Sequence, residues 1–286
     1  MPVTTSLPVH ASFRSEKLTI GAGVAIFHLA SERVVVCYHS RDHYWFLPKG
    51  RRNANEETLR AAAREGFEES GYRNRILPLP MKYGQPEDPD QGRQRFVTEP
   101  LWTQMLPLTA TKQYMLFWYA AETVPPEVEQ SYSGVASDSE PAYKAPPPFP
   151  TDMTLQQRIA LDSIVGLGGK QETYEPMKHE GTGVDEDELM YESYLLPIAE
   201  AQRKLRGSVM EDVIRRGWEA FTKHLALTIP NDRISVELAS SCSLGVLDAS
   251  SSKASLKGLP LQALRDGDVQ TVPYEELDGL GHDVDV

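Results

Sequence analysis

The stretch that decides the fold is Gly50-Arg-Arg-Asn-Ala-Asn-Glu56-Glu-Thr-Leu-Arg-Ala-Ala-Ala-Arg64-Glu65-Gly-Phe-Glu68-Glu69-Ser-Gly71-Tyr72. Its second part predicts a helix that begins soon after Asn55, whose side chain can accept a backbone N–H of the first turn. Gly71 can take the left-handed conformation that ends a helix. An apolar stripe runs along this helix and consists of Leu59, Ala62, Ala63, Gly66 and Phe67. The stripe predicts that the helix packs on a sheet.

The acidic residues of the same helix point to a metal site. At about 100° per residue, Glu65, Glu68 and Glu69 fall within one arc of the helix surface, which we expect to face solvent. Three clustered carboxylates repel one another unless a cation lies between them. A hard divalent ion such as Mg²⁺ binds carboxylate oxygens and keeps water ligands that a phosphate can replace. The cluster therefore predicts a bound divalent metal.

Strand-like runs surround this helix and predict a mixed sheet. They comprise residues 17–29, 34–39, 72–79 and 113–121, a weaker run at 94–98, and a short extended piece at 45–50. Two further helices are predicted, one over residues 198–206 closed by Gly207 and one from Ser208 to about Leu225. Glu211 completes a capping box with Ser208. Ile214, Trp218 and Phe221 recur at helical spacing and are assigned to the core.

The chain changes composition after residue 123. Residues 124–187 contain proline clusters, among them Ala145-Pro-Pro-Pro-Phe-Pro150, together with serine-rich and acidic runs. They predict a long, largely flexible insertion with one short helix at 155–165, although a lid over the substrate is an alternative. We therefore expect one folded domain over residues 13–226, interrupted by this insertion, and a weakly ordered, flexible tail over residues 227–286.

Composition limits the classes of partner. A net charge of −12 argues against broad attraction to nucleic acid or to an anionic membrane, so an anion site must be local. No run approaches the roughly 18 apolar residues of a membrane span. The two cysteines, Cys37 and Cys242, form neither a disulfide framework nor a zinc spacing, and Cys37 is expected to be buried. We expect a protein of the cytosol or nucleus.

The order of Gly50, Glu56 and Arg64-Glu65-x-x-Glu68-Glu69-x-Gly71 resembles a Nudix box. The resemblance covers residues 13–122 and 187–226. It implies an α/β/α sandwich with a mixed sheet and a metal-dependent hydrolase that acts on phosphoanhydrides. Two positions depart from the family pattern, because Gly66 and Tyr72 stand where aliphatic residues are usual.

The resemblance also implies roles for individual residues. Mg²⁺, or alternatively Mn²⁺, would be bound by the carbonyl of Gly50 and by Glu65, Glu68 and Glu69. Glu68 would also take the proton of the attacking water, and Arg64 would orient a glutamate of the site. Some members of the family recruit the base from another loop. The reserve candidates are Glu186, Glu188 and Glu192.

Basic residues near the box indicate a strongly anionic small-molecule substrate. Lys49, Arg51 and Arg52 flank Gly50, and Arg41 follows the second strand. The run from Ser40 to Gly50 resembles diphosphoinositol polyphosphate and diadenosine polyphosphate hydrolases. The alternatives are hydrolysis of the mRNA cap or of another nucleotide derivative, and a non-catalytic Nudix sensor. The acidic chain shows no clear nucleic-acid surface.

Overall fold

The described residues lie between residues 5 and 228 of the chain. The computed structural model describes residues 5–87, 89–90, 92, 94, 96–133, 143–149, 155–160, 162–165, 171–183, 186 and 188–228. The tail predicted at 227–286 lies outside this set from residue 229 onward. Cys242 lies outside it too.

Ten strands and five α-helices are assigned within the described residues. The strands are β1 (Leu18–His28), β2 (Arg33–His39), β3 (Tyr44–Phe46), β4 (Lys49–Arg51), β5 (Asn74–Ile76), β6 (Trp102–Thr109), β7 (Lys112–Thr123), β8 (Ser163–Val165), β9 (Gln171–Thr173) and β10 (Tyr191–Pro197). The helices are α1 (Thr58–Ser70), α2 (Pro126–Ser133), α3 (Leu155–Ala160), α4 (Ile198–Lys204) and α5 (Val209–Thr228). None of these helices has the length and apolar character needed to cross a bilayer.

Eight of the strands form one mixed sheet, as predicted. The central order is β10-β2-β1-β7-β5, with β3 paired to β2, β4 to β1 and β6 to β7. β1 and β7 are parallel over ten residue pairs, from Leu18 with Gln113 to Phe27 with Glu122. The other pairs in this sheet are antiparallel.

Helices cover both faces of this sheet, which confirms the α/β/α sandwich. Side chains alternate along a strand, so neighbouring residues of β1 face opposite sides. Val24 and Ile26 pack in one apolar cluster with Ala62 of α1. Ala25 and Phe27 pack in the other cluster with residues of α4 and α5, including Ile198, Ala201, Ile214 and Phe221. The core assignment of Ile214 and Phe221 is therefore confirmed, and Trp218 packs partly buried against the same cluster.

Helix α1 begins later than predicted, and Asn55 does not cap it. Asn55 has a φ of 66°, in the left-handed region, and lies in a turn that precedes the helix. The Glu56 amide donates to the carbonyl of Asn53 at 3.1 Å, and the Glu56 carboxylate accepts from the Asn53 amide at 2.8 Å. This closed turn delays the first helical residue to Thr58. At the other end, Gly71 has a φ of 74° and ends the helix as predicted.

Gly66 explains how closely α1 approaches the sheet. A Cβ at this position would lie 2.7 Å from Asn74 Nδ2 and 2.8 Å from Val24 Cγ1. Both distances are too short for non-bonded atoms, and Asn74 is itself held by the Ala63 carbonyl at 3.0 Å. The departure from the family pattern at this position therefore serves close helix–sheet packing.

We predict that Gly66→Ala lowers the free energy of unfolding by about 1–3 kcal/mol, the usual cost of overpacking a core. Helix propensity alone predicts the opposite sign, a gain of about 1 kcal/mol. Urea unfolding followed by circular dichroism measures the difference. Gly84→Ala is the control, because a Cβ there meets no atom within 4 Å. A Gly66→Ala protein as stable as the wild type would show that the sheet can move away from the helix.

The described part of the insertion packs against the domain. The helix predicted over 155–165 is shorter, because it ends at Ala160 and residues Ser163–Val165 form β8 instead. Arg158 of α3 is buried and donates to Glu122 of β7 at 3.0 Å. The chain turns at Asp162, whose amide donates to the carbonyl of Ile159. The insertion is thus anchored to the central sheet at this point.

Two strand predictions need correction, and the strand β6 was missed. The strand predicted over 72–79 is limited to β5, and the one predicted over 94–98 is reduced to a single bridge between Val97 and Leu79. β6 was not predicted at all. Most of its side chains are exposed and it contains Pro107, so the run lacks the apolar alternation that marks a strand.

Candidate active site

The second half of α1, strand β4 and the segment before β10 line one cleft. Its walls comprise Thr19, Lys49, Gly50, Arg51, Arg52, Asn53, Ala54, Arg64, Glu65, Glu68, Glu69, Leu108, Tyr114, Glu188 and Tyr191. The sheet brings these residues together, because β4 pairs with β1 beside α1 and β10 pairs with β2. Carboxylates and basic side chains therefore face a common space.

Three carboxylates converge in this cleft. Oxygen atoms of Glu65, Glu69 and Glu188 all lie within 4.8 Å of one another. Glu65 and Glu69 are only 6% and 8% exposed, which corrects the expectation that α1 turns its acids to solvent. Burial raises the pKa of Glu65 to about 7 and raises the pKa of Glu69 well above its usual value.

Strand β4 holds the two buried carboxylates of α1. The backbone N–H of Lys49 donates to Glu69 Oε2 at 2.6 Å. A Cβ at Gly50 would lie only 2.0 Å from Glu65 Oε2, so the glycine leaves the space in which this carboxylate lies. The Gly50 carbonyl accepts a hydrogen bond from the Tyr114 hydroxyl at 3.0 Å. Backbone and carboxylates are therefore fixed against each other.

The end of the insertion carries Glu188 to the cluster. The amide of His179 donates to the Gly71 carbonyl at 2.9 Å. The hydroxyl of Thr182 donates to the Glu68 carbonyl at 2.8 Å. The chain thus runs along the C-terminal end of α1 before it reaches Glu188.

Of the three reserve carboxylates, Glu188 is the one that lines the described cleft. Glu186 is exposed. Glu192 is exposed and accepts a hydrogen bond from the hydroxyl of Tyr194 on the same strand, β10. Glu188 comes close to the cleft because the segment before it contacts the C-terminal end of α1 through His179 and Thr182.

Arg64 uses all five of its N–H donors on neighbouring groups. It forms a two-pronged contact with Glu56 at 3.0 and 2.9 Å, and donates to the Arg51 carbonyl at 3.0 Å. Its Nη1 donates to Glu65 at 2.8 Å and to Glu68 at 2.6 Å. Burial alone would lower the pKa of Arg64, but these carboxylates raise it. Arg64 therefore remains charged and fixes the positions of two cleft carboxylates.

Glu68 is less deeply enclosed than its neighbours. Its side chain is 11% exposed, and burial raises its pKa although the bond to Arg64 opposes the shift. It lines the cleft but is not one of the three carboxylates that converge within 4.8 Å. The structure thus gives Glu68 a different environment from that of Glu65 and Glu69.

The basic residues do not all reach the cleft. Lys49, Arg51 and Arg52 line it, but Arg52 also donates to the Glu56 carbonyl at 3.1 Å. Arg41 lies between β2 and β3, where its side chain is 58% exposed and 3.4 Å from Asp42. It is not among the cleft residues.

Two tyrosines of the cleft were not recognised from the sequence. Tyr114 lies in the strongest strand signal, and its position depends on the parallel pairing that sets it beside Thr19. Tyr191 begins β10 and packs edge-on against Phe46 at 4.8 Å between ring centroids. No local motif marks either residue, because both reach the cleft through long-range strand pairing.

The three converging carboxylates fit a hard divalent cation. They offer oxygen atoms only, which is the ligand type preferred by Mg²⁺ and Mn²⁺. Burial, and to a smaller extent the neighbouring carboxylates, raises the pKa values of Glu65 and Glu69, and a cation between them would oppose that shift. The space opened by Gly50 keeps Glu65 inside the cluster.

Residues 18–138, which include the cleft residues of α1 and β4, match the family described as the NUDIX domain.

Solved Nudix structures resemble the chain at low identity. An Ap4A hydrolase from C. elegans is 14% identical, with 73% of this chain and 98% of that chain covered and a TM-score of 0.35. A NUDIX-family hydrolase from Clostridium perfringens is 13% identical over 71% and 95%, with a TM-score of 0.33. A NUDIX hydrolase from Nitrosomonas europaea is 11% identical over 70% and 88%, with a TM-score of 0.34. No curated protein matched the chain.

Proposed function

We propose that this protein is a Mg²⁺-dependent, or alternatively Mn²⁺-dependent, pyrophosphohydrolase of the cytosol or nucleus. Its substrate would be a diphosphoinositol polyphosphate or a dinucleoside polyphosphate. In the reaction, water would attack a phosphorus atom of the substrate and a P–O–P linkage would break. The observation that carries this proposal is the convergence of Glu65, Glu69 and Glu188 in a cleft that also contains Lys49 and Arg51. Such a cleft offers one region for a cation and another for phosphate groups.

In the proposed mechanism, Glu65, Glu69 and Glu188 hold the cation. A bound divalent cation would neutralise charge on the phosphoryl oxygens and lower the pKa of the attacking water. The backbone N–H of Lys49 and the guanidinium of Arg64 keep two of these carboxylates in place before substrate binds. The side chains of Lys49 and Arg51 would bind the remaining phosphate oxygens.

Glu68 remains our candidate for the group that accepts the proton of water. Its carboxylate lines the cleft beside the three converging carboxylates, and its bond to Arg64 fixes its direction. Glu188 is the alternative, since it reaches the same cleft from the insertion. Substitution of the two carboxylates should have different effects. Loss of a general base lowers kcat, whereas loss of a metal ligand weakens the affinity for Mg²⁺.

We therefore expect Glu68→Gln to lower kcat by about 10²–10⁴-fold, the usual contribution of a positioned acid or base. The Mg²⁺ concentration for half-maximal rate should change little. Glu188→Gln should instead raise that concentration by roughly 10–100-fold and recover turnover at high Mg²⁺. Phosphate release measured against Mg²⁺ concentration separates the two effects. Glu186→Gln is the matched control, because Glu186 lies in the same segment but is exposed.

The opposite pattern would reassign the base. If Glu188→Gln loses turnover at every Mg²⁺ concentration and Glu68→Gln does not, then Glu188 accepts the proton. Circular dichroism of each variant verifies that the fold is retained.

A substrate panel tests the proposed function itself. With Mg²⁺ present, cleavage is measured as phosphate release for an inositol pyrophosphate, and by separation of the nucleotide products for a dinucleoside tetraphosphate and a capped RNA. We expect a kcat/KM for one of the first two substrates that exceeds that for capped RNA. Arg51→Ala should raise the KM of that substrate, whereas Arg41→Ala, outside the cleft, should not. A preference for capped RNA would favour cap hydrolysis, and tight binding without turnover would favour a sensor.

A further inference from the structure

Residues 143–149 form a proline-rich stretch of the insertion that the hydrolase chemistry does not use. The sequence is Tyr-Lys-Ala-Pro-Pro-Pro-Phe, and it contains neither helix nor strand. Each proline fixes its own φ near −65° and keeps the preceding residue extended. Three successive prolines therefore hold this backbone in the range of a polyproline II helix.

Burial along the stretch repeats every third residue. Tyr143, Pro146 and Phe149 are partly buried, whereas the pairs Lys144–Ala145 and Pro147–Pro148 between them are exposed. A polyproline II helix has three residues per turn, so the three partly buried residues form one edge. That edge lies against the domain, and the other two edges face solvent.

The buried edge is anchored at both of its ends. The Tyr143 ring lies 6.2 Å from the ring of Phe67 in α1. At the other end, the Arg75 guanidinium lies 5.4 Å from the centre of the Phe149 ring. Its Nη1 also donates to the Pro148 carbonyl at 3.4 Å. Arg75 is itself fixed, because its Nε donates to the buried carboxylate of Glu122 at 2.5 Å.

One exposed edge has the composition of a recognition site. It begins with Lys144 and continues one turn later with Pro147, and the sequence has Pro150 three positions further on. Among the described residues, no carboxylate forms a recorded ion pair with the Lys144 ammonium. A cation followed by prolines at intervals of three suits an aromatic-lined groove with acidic side chains at one end.

We propose that the exposed edge of residues 144–148 is a docking site for a protein module that binds polyproline II segments, with an aromatic groove and an acidic rim as in SH3 domains. The aromatic groove would bind Pro147, and the acidic rim would bind Lys144. Because the domain already holds the stretch at Tyr143 and Phe149, the partner orders little additional chain on binding. The docking site is independent of the proposed catalytic reaction.

Pro147 and Pro150 have the spacing Pro-x-x-Pro in the sequence, and a second sequence with this spacing provides the matched control. Pro86 and Pro89 have the same spacing, but Glu87 and Asp88 lie between them. Both prolines are exposed. Acidic residues in that position would be repelled by an acidic rim, so we expect no docking at this loop.

The test is a titration of a purified SH3 domain that prefers a basic residue before its Pro-x-x-Pro ligand. The full-length protein is added, and the fluorescence of the tryptophan in the SH3 groove is followed. We expect saturable binding that Pro147→Ala with Pro148→Ala weakens at least tenfold and Lys144→Glu weakens at least threefold. Pro86→Ala with Pro89→Ala should leave the affinity unchanged.

Two results would overturn the proposal. One is no saturable binding by the wild-type chain, and the other is binding that the Pro147 and Pro148 substitutions leave unchanged. Circular dichroism of the double variant verifies that it is folded. Should the variant not fold, a synthetic peptide of residues 142–151 must compete with the wild-type chain for the SH3 domain, and failure to compete also rejects the site.

Discussion

Replacing Glu69 with glutamine is expected to slow phosphate release by about 10²–10³-fold, because the metal's stabilisation of transition-state charge is worth several kcal/mol. Glu69 is 8% exposed and lies within 4.8 Å of two other carboxylates, so the change removes one charged ligand from a closed cluster. The substitution preserves shape and keeps an oxygen near the Lys49 amide. Initial rates at saturating substrate and a fixed Mg²⁺ concentration measure the effect.

The same variant separates function from stability. In the metal-free wild type, burial makes the ionised form of Glu69 costly, which is why its pKa is raised. The metal-free Glu69→Gln protein should therefore unfold at the same temperature as the wild type or at a higher one. Added Mg²⁺ should raise the unfolding temperature of the wild type more than that of the variant. Glu57→Gln, an exposed carboxylate beside the start of α1, should match the wild type in both measurements.

Replacing Arg64 with lysine should lower kcat/KM by roughly 10–100-fold, the usual effect of losing a partner that positions a metal ligand. Lysine keeps the positive charge but has a single ammonium in place of the planar fork. It cannot reproduce the paired contact with Glu56 together with the bonds to Glu65 and Glu68. The loss is thus one of geometry and not of charge.

Steady-state kinetics of Arg64→Lys against Mg²⁺ concentration provide the measurement. Arg60→Lys is the control, since Arg60 lies one turn earlier on the same helix and is exposed. An Arg64→Lys enzyme with wild-type kinetics would mean that charge alone suffices at this position. We expect Arg64→Ala to be worse than Arg64→Lys, because it leaves three carboxylates without their shared cation.

The layered fold was predictable because its signals are local. The apolar stripe of α1, the β-rich runs of β1, β2 and β7, and the C-terminal helices all depend on side chains within a few turns or strand residues. Gly71 marked the end of α1 correctly, with a φ of 74°, whereas α4 ends at Lys204 with Leu205 as its C-cap, before the predicted end at Gly207. β6 escaped prediction because its side chains are largely exposed and it is held by pairing with β7.

The site was predictable only in part. The box placed Glu65, Glu68 and Glu69 on one helix, but helical spacing cannot show which of them the surrounding strands enclose. Burial of Glu65 and Glu69 depends on β4, and the approach of Glu188 depends on contacts of the insertion with Gly71 and with the Glu68 carbonyl. The contacts of the insertion join residues more than a hundred positions apart, and the contact of β4 with Glu69 joins residues 20 positions apart, so no local helical or strand pattern encodes them.

Arg41 shows that a residue can be near the motif in sequence and still lie outside the cleft. It is close to the box in sequence and was expected to contact substrate. In the structure it lies between β2 and β3, outside the cleft, beside Asp42. Proximity along the chain therefore did not imply proximity to the site.

The central claim is that Glu65, Glu69 and Glu188 bind a divalent cation on which hydrolysis depends. The most direct measurement is a titration of the metal-free protein with Mn²⁺, followed by electron paramagnetic resonance, with phosphate release measured at each point. The account predicts that release rises with the bound Mn²⁺ and that Glu69→Gln weakens both together, whereas Glu57→Gln weakens neither. Phosphate release that persists in excess chelator, or Mn²⁺ binding that is the same in Glu69→Gln and wild type, would contradict it.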